Sequence, residues 1–148
     1  MDDIKLRQTW LSVLAKSRRS DIEAALADQK LPEIEVLRPA EIGLVMVRGR
    51  AGGNGQRFNL GEMPVTRCSV RSAAGRVGHG YVQGRDKRHA ELAATLDAAL
   101  QEAGRRPALM EAVIEPLQAV LANNKSTIEA KAAATKVDFF TMARGESE

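Results

Sequence analysis

Seven cations in this chain have the type and spacing to hold an anion: Arg48, Arg50 and Arg57 around a glycine-rich stretch, Arg67 further on, and Arg85, Lys87 and Arg88 together. A guanidinium presents a planar fork of N–H donors that matches phosphate or carboxylate two bonds at a time, and an ammonium adds a compact charge. From Ile42 to Glu91 there are eight arginines and one lysine against Glu62, Asp86 and Glu91, a formal charge of +6 in a chain whose total is +3. The charge is concentrated, which points to a polyanionic ligand or an acidic partner surface. Nucleophilic and acid–base chemistry is poorly supplied by comparison. Cys68, His79, His89 and Glu62 form no nucleophile–base–orienter set and no zinc-ligand spacing, so no catalytic residue and no metal site is assigned.

The seven cations need different scaffolds. Gly49 to Gly55, flanked by Arg48, Arg50 and Arg57, lacks the lysine-serine or lysine-threonine ending of a P-loop and leads into Phe58 and a strand rather than a helix. It reads as a hairpin loop with backbone freedom, or as a loop that orders on a partner and aims its guanidinium forks there. Arg85, Lys87 and Arg88 fall around the first turn of a helix capped by Asp86. Cations there oppose the helix dipole, at a cost of about 0.3–1 kcal/mol each. A bound anion or acidic partner would offset that cost; the other reading is a solvated turn with Asp86 capping and Glu91 pairing.

Ile4, Leu6, Trp10, Leu11, Val13 and Leu14 recur at helical spacing, and Ser20-Asp21-Ile22-Glu23 reads as the capped start of a second helix through Ala27. Pro32 and Pro39 bracket a short edge strand, Glu33 to Arg38, and the apolar run Ile42 to Val47 predicts a central strand covered on both faces. Met63 to Arg71 and Val77 to Gln83 supply two more strands. On the first of these, Arg67 and Arg71 face one way and Thr66, Cys68 and Val70 the other, which makes Cys68 a small buried hydrophobe. His79 shares a face with Val77 and Tyr81 and is expected inside.

After Asp86, Leu92, Ala93, Leu96 and Leu100 line one face of a helix; Pro107 opens another, with Pro116 as a kink or break and Asn123-Asn124 as an interruption. Phe139 and Phe140 are adjacent, so a helix cannot turn both to one core, and one of them is a candidate for docking into another chain. The fold class is therefore α+β: an antiparallel sheet of about four strands packed with N-terminal and C-terminal helices, in a single domain spanning 1–148.

No apolar run approaches a membrane span and Met1-Asp2-Asp3 lacks the features of a signal peptide, so no membrane association and a cytoplasmic location are expected. One cysteine cannot hold an iron–sulfur cluster by itself. A sequence pI near 9.3 raises the alternative of a basic nucleic-acid-binding module. Phe58 and Tyr81 are too few aromatics in the basic third for a stacking platform, and no nucleic-acid signature is present, which argues against that partner.

Four strings carry a resemblance: Asn59-Leu60-Gly61-Glu62-Met63, Thr66-Arg67-Cys68, Gly84-Arg85-Asp86-Lys87-Arg88-His89-Ala90-Glu91-Leu92, and Ala134-Thr135-Lys136-Val137-Asp138-Phe139-Phe140-Thr141-Met142. In these the chain resembles the G subunit of the carbon–phosphorus lyase core complex of phosphonate metabolism. The resemblance implies a cytoplasmic subunit that associates with the H, I and J subunits. With the H, I and L subunits it would be required to transfer ribose 5-triphosphate from ATP to an alkylphosphonate, releasing adenine. It also implies no cofactor in this chain: ATP is a substrate of the complex, and the iron–sulfur cluster and S-adenosylmethionine of the later bond cleavage lie on another subunit. No catalytic residue carries over, so the cations above and Phe139 and Phe140 are expected to bind anions or contact partners.

Overall fold

The computed structural model describes residues 2–51 and 55–146, with the side chains from 136 onward excepted. The elements run α1 (Asp3–Lys16), α2 (Arg19–Ala25), β1 (Ile34–Arg50), β2 (Arg57–Ser72), β3 (Val77–Gln83), α3 (Lys87–Leu100), α4 (Arg106–Leu109), a π turn (Met110–Ile114) and α5 (Glu115–Glu146). The α+β class holds, with a three-stranded antiparallel sheet in the order β1-β2-β3 in place of about four strands. The two strands predicted either side of Pro39 are one. A proline has no N–H to give a ladder, but β1 is an edge strand, and register shifts between Val36 and Arg38 and between Arg38 and Glu41 absorb the irregularity.

Helix α3 is the centre of the molecule. Residues on nearly every side of it are buried, from Ala90 and Leu92 to Ala99 and Leu100, because β2 and β3 cover one side and the other helices the rest. Trp10, Val13 and Leu14 of α1, Ile22 of α2, Leu109 of α4 and Val113, Ile114 and Leu117 after it complete the core.

The approach of α3 to β3 is close. A Cβ on Gly78 would strike the Ala94 carbonyl and Ala98, and one on Gly80 would strike the Ala90 carbonyl. Glycines therefore occupy two of the three inward positions of β3, opposite an alanine stripe spaced by four, with Val82 as the third, and Val77, His79 and Tyr81 take outward positions. That reverses the interior placement expected for His79. The interior histidine is His89, whose Nε2 lies 2.8 Å from the Leu14 carbonyl oxygen.

The run Ile42 to Val47 is likewise not central. Strand β3 pairs with β2 only from Val65 to Arg71, so residues 57–64 of β2 pair with β1 alone. Ile42 and Leu44 stand opposite Thr66 and Pro64 and continue the sheet face that α3 covers, but α3 stops short of them. What remains is a two-stranded arm with Ile42, Leu44, Met46, Phe58 and Leu60 exposed.

Three helix predictions also change. Helix α2 starts at Arg19 after an N-cap Arg18 without a side-chain cap bond, so Ser20 is inside it. The irregularity at Pro116 is the preceding π turn, whose wider backbone accommodates a residue with no N–H. Asn123 and Asn124 lie within a continuous α5, which is exposed on all sides from residue 122 to 135.

Candidate partner and anion interface

The structure distributes the seven cations over three places. At the tip of the arm, Arg50 pairs across the ladder with Arg57, and Arg48 lies two residues back. These three and Gly49 line a shallow hollow of about 300 Å³. Among the described residues none of the three guanidiniums has a carboxylate within 4.0 Å. Like charges directly opposite in a ladder destabilise it. The loop between them, residues 51–56, contains no acid to relieve this.

On the outer face of the sheet Arg67 is already matched, its Nε donating to Glu41 Oε1 at 2.8 Å, with Arg38 Nη1 3.7 Å from the same oxygen. Arg71 pairs with Glu35 at 3.6 Å. Leu37, Arg38, Arg67, Ser69, His79 and Tyr81 form an open hollow of about 490 Å³ there, and a 2.9 Å hydrogen bond joins Ser69 Oγ to His79 Nδ1.

At the start of α3, Asp86 Oδ1 accepts from the His89 N–H at 3.1 Å and its Oδ2 lies 3.3 Å from Arg19 Nε. Arg88 reaches Glu91 at 3.6 Å and Glu23 at 4.0 Å. Arg88 thus follows the solvated-turn reading, capped and paired within the chain. Arg85 and Lys87 are exposed, with no ion pair among the described residues. The fold therefore gathers Arg48, Arg50 and Arg57 into one cluster, sets Arg85 and Lys87 in another, and engages Arg67 and Arg88 internally. The Phe139 and Phe140 side chains lie outside the described residues.

Among the described residues, the most heavily bonded carboxylate is one that sequence reasoning does not single out. Asp97 is fully buried on α3, and its carboxylate accepts from Arg7 Nε at 3.1 Å and Nη2 at 2.8 Å, from Trp10 Nε1 at 2.9 Å and from the His79 N–H at 2.9 Å. One side chain joins α1, α3 and the free edge of β3. The hydrogen bond from Arg7 holds that guanidinium in its charged form, above its ordinary pKa. The signal in the sequence was an acid inside the apolar run Leu96 to Leu100, where an unpartnered carboxylate would be costly. Its partners 87 and 90 residues away could not be read.

Cys68 lies buried beneath α3, as its strand position predicted, and burial pushes its thiol pKa up, with Glu91 adding to the effect. It is held as a thiol, the form least suited to attack or to ligate metal. Among the described residues no group of three or more His, Cys, Asp or Glu could hold a metal ion, and no helix is long and apolar enough to cross a membrane.

The family described as "Phosphonate metabolism protein PhnG" matches residues 5–145. Over 142 residues, covering 95% of this chain and 90% of the relative, the sequence is 45% identical to "Alpha-D-ribose 1-methylphosphonate 5-triphosphate synthase subunit PhnG" of Rhizobium meliloti (strain 1021).

Proposed function

This chain belongs to the PhnG family of phosphonate-metabolism proteins, and from that membership we propose that it is a subunit of an α-D-ribose 1-methylphosphonate 5-triphosphate synthase. The observation that carries the proposal is the near full-length identity to a protein named as that subunit. In this reading it works with H, I and J subunits, and functionally with an L subunit, in the cytoplasm. Together they move ribose 5-triphosphate from ATP to an alkylphosphonate and release adenine.

In this reading the chain supplies no complete active site of its own: the Ser69–His79 hydrogen bond has no carboxylate orienting the imidazole among the described residues, and the one thiol is buried and protonated. The iron–sulfur cluster and S-adenosylmethionine of the later bond cleavage belong to another subunit. A lone buried thiol does not fit a cluster.

Its contribution is electrostatic and structural. A phosphonate oxygen displacing adenine from a ribose that bears a triphosphate brings two anions together, and fixed cations lower that barrier by screening and positioning. Arg85 and Lys87, exposed at the start of α3, are the groups available for this, directly or across a subunit boundary. Arg88 contributes less because Glu23 and Glu91 already engage it.

Adenine release from ATP and methylphosphonate, measured with the partner subunits in the presence and absence of this chain, tests the assignment. Activity is expected to need the chain. Full activity without it overturns the proposal. Reversing Arg85, Lys87 and Arg88 together is expected to lower the rate, and unchanged assembly and rate would remove them from the mechanism.

A further inference from the structure

We infer that the β1–β2 arm is a docking element that inserts into an apolar groove of a different protein chain, and that this groove ends in aspartate or glutamate carboxylates meeting Arg48, Arg50 and Arg57. The inference rests on the subunit reading above and specifies which surface makes the contact and what chemistry receives it. Two strands without a third strand or a covering helix are marginal in water. Here they continue for most of residues 42–50 and 57–64 with large apolar side chains in solvent, Leu44 59% and Leu60 62% exposed among them. Gly49 is part of the same design: a Cβ there would lie 3.0 Å from Leu60 Cδ1, so Leu60 lies across the glycine and thickens the apolar surface near the tip.

Charge identifies the occupant. On the body of the protein, Arg7, Arg19, Arg38, Arg67, Arg71, Arg88, Arg105 and Arg106 meet a carboxylate of this chain, while Arg85 and Lys87 stand exposed at the start of α3. The tip does the reverse, placing Arg50 directly opposite Arg57 with Arg48 beside them and no acid in reach among the described residues. Desolvating three guanidiniums alongside apolar neighbours is tolerable only if negative charge receives them. A second copy of this chain would bring an arm of the same sign, so a chain of different sequence is the better match. Because β1 is the sheet edge, its outward backbone groups are also free to pair with that chain.

The test uses the whole assembly, purified from cells that make all of its subunits, with a photo-cross-linking phenylalanine analogue at position 44. Light is expected to join position 44 to a peptide of a different subunit that carries apolar residues next to Asp or Glu. Hydrogen exchange of residues 42–50 and 57–64 is expected to slow in the assembly relative to the isolated chain. The triple variant Arg48→Glu, Arg50→Glu, Arg57→Glu is expected to bind its partners about tenfold more weakly or worse, with a flatter salt dependence, while the isolated variant melts as the parent does.

Cross-linking to a second copy overturns the inference. So does an arm that stays unprotected within an assembled particle, or a triple variant that assembles normally and loses only nucleotide binding. A chain that joins no particle at all instead overturns the subunit reading on which the inference stands.

Discussion

The body of this protein and its arm are made of the same two strands, yet they obey opposite rules. Where β2 lies under α3, Cys68 and Val70 are buried, the arginines on the other face are paired, and β3 is drawn so close that only glycine fits at positions 78 and 80. Some ten residues earlier in the same strand, Phe58 and Leu60 stand in solvent and Arg57 faces another arginine. The difference is cover. Where α3 covers the sheet, apolar side chains are buried and Arg67 and Arg71 behind them are paired within this chain, and in the arm both kinds of group are left for something else.

Asp97→Ala is expected to damage the isolated chain most. It strands the Trp10 N–H and the His79 N–H and frees Arg7, a loss of about 3 kcal/mol or more. A fall of roughly 6–12 °C in Tm is expected for a protein of this size, read by thermal unfolding. A shift under about two degrees would show that α1 and β3 are held by packing alone.

Gly80→Ala comes next, because its methyl group meets the Ala90 backbone and the helix must move away, typically at about 1–3 kcal/mol. Gly49→Ala in the arm, where the neighbour is the movable end of Leu60, serves as its contrast and should cost far less. Equal losses at the two glycines would mean that the arm is as tightly built as the body.

Leu44→Ser with Leu60→Ser should alter the stability of the isolated chain by about 0.5 kcal/mol or less per site, since exposed positions carry little burial to lose. A large destabilisation in urea would place these side chains in a core of their own.

The smallest effect concerns Cys68. Its folded-state pKa is raised, so the folded chain keeps the proton that the unfolded chain gives up. The associated stability is present below the ordinary value of 9.0 and declines as pH rises past it. A thiol reagent at pH 8 should label Cys68 only as the chain opens, and a cysteine placed by Leu44→Cys at once. Comparable labelling rates would erase the distinction between the two regions.

Much of the body could be read from residue order. Asp86 caps α3, Pro107 opens α4, and the alternation around Cys68 assigns inner and outer faces, because each depends on interactions within a few residues. The family could be read as well, since four separated strings carry it. His79 shares a face with Val77 and Tyr81, and alternation alone does not say which face is inside: the buried face is that of Gly78 and Gly80, stripped of side chains so that α3 can approach. The cations looked like one basic third and are three groups.

What the sequence determined by itself is the local chemistry: where helices begin, which residues alternate, and that Ile42 to Val47 is an apolar strand. Only the tertiary structure decided whether anything covers that strand, because alternation records which side chains share a face, while cover depends on where a helix about 40 residues later happens to begin. The same holds for charge. Arg57 and Arg67 are alike in sequence, and it is the fold that gives one a glutamate and leaves the other facing outward.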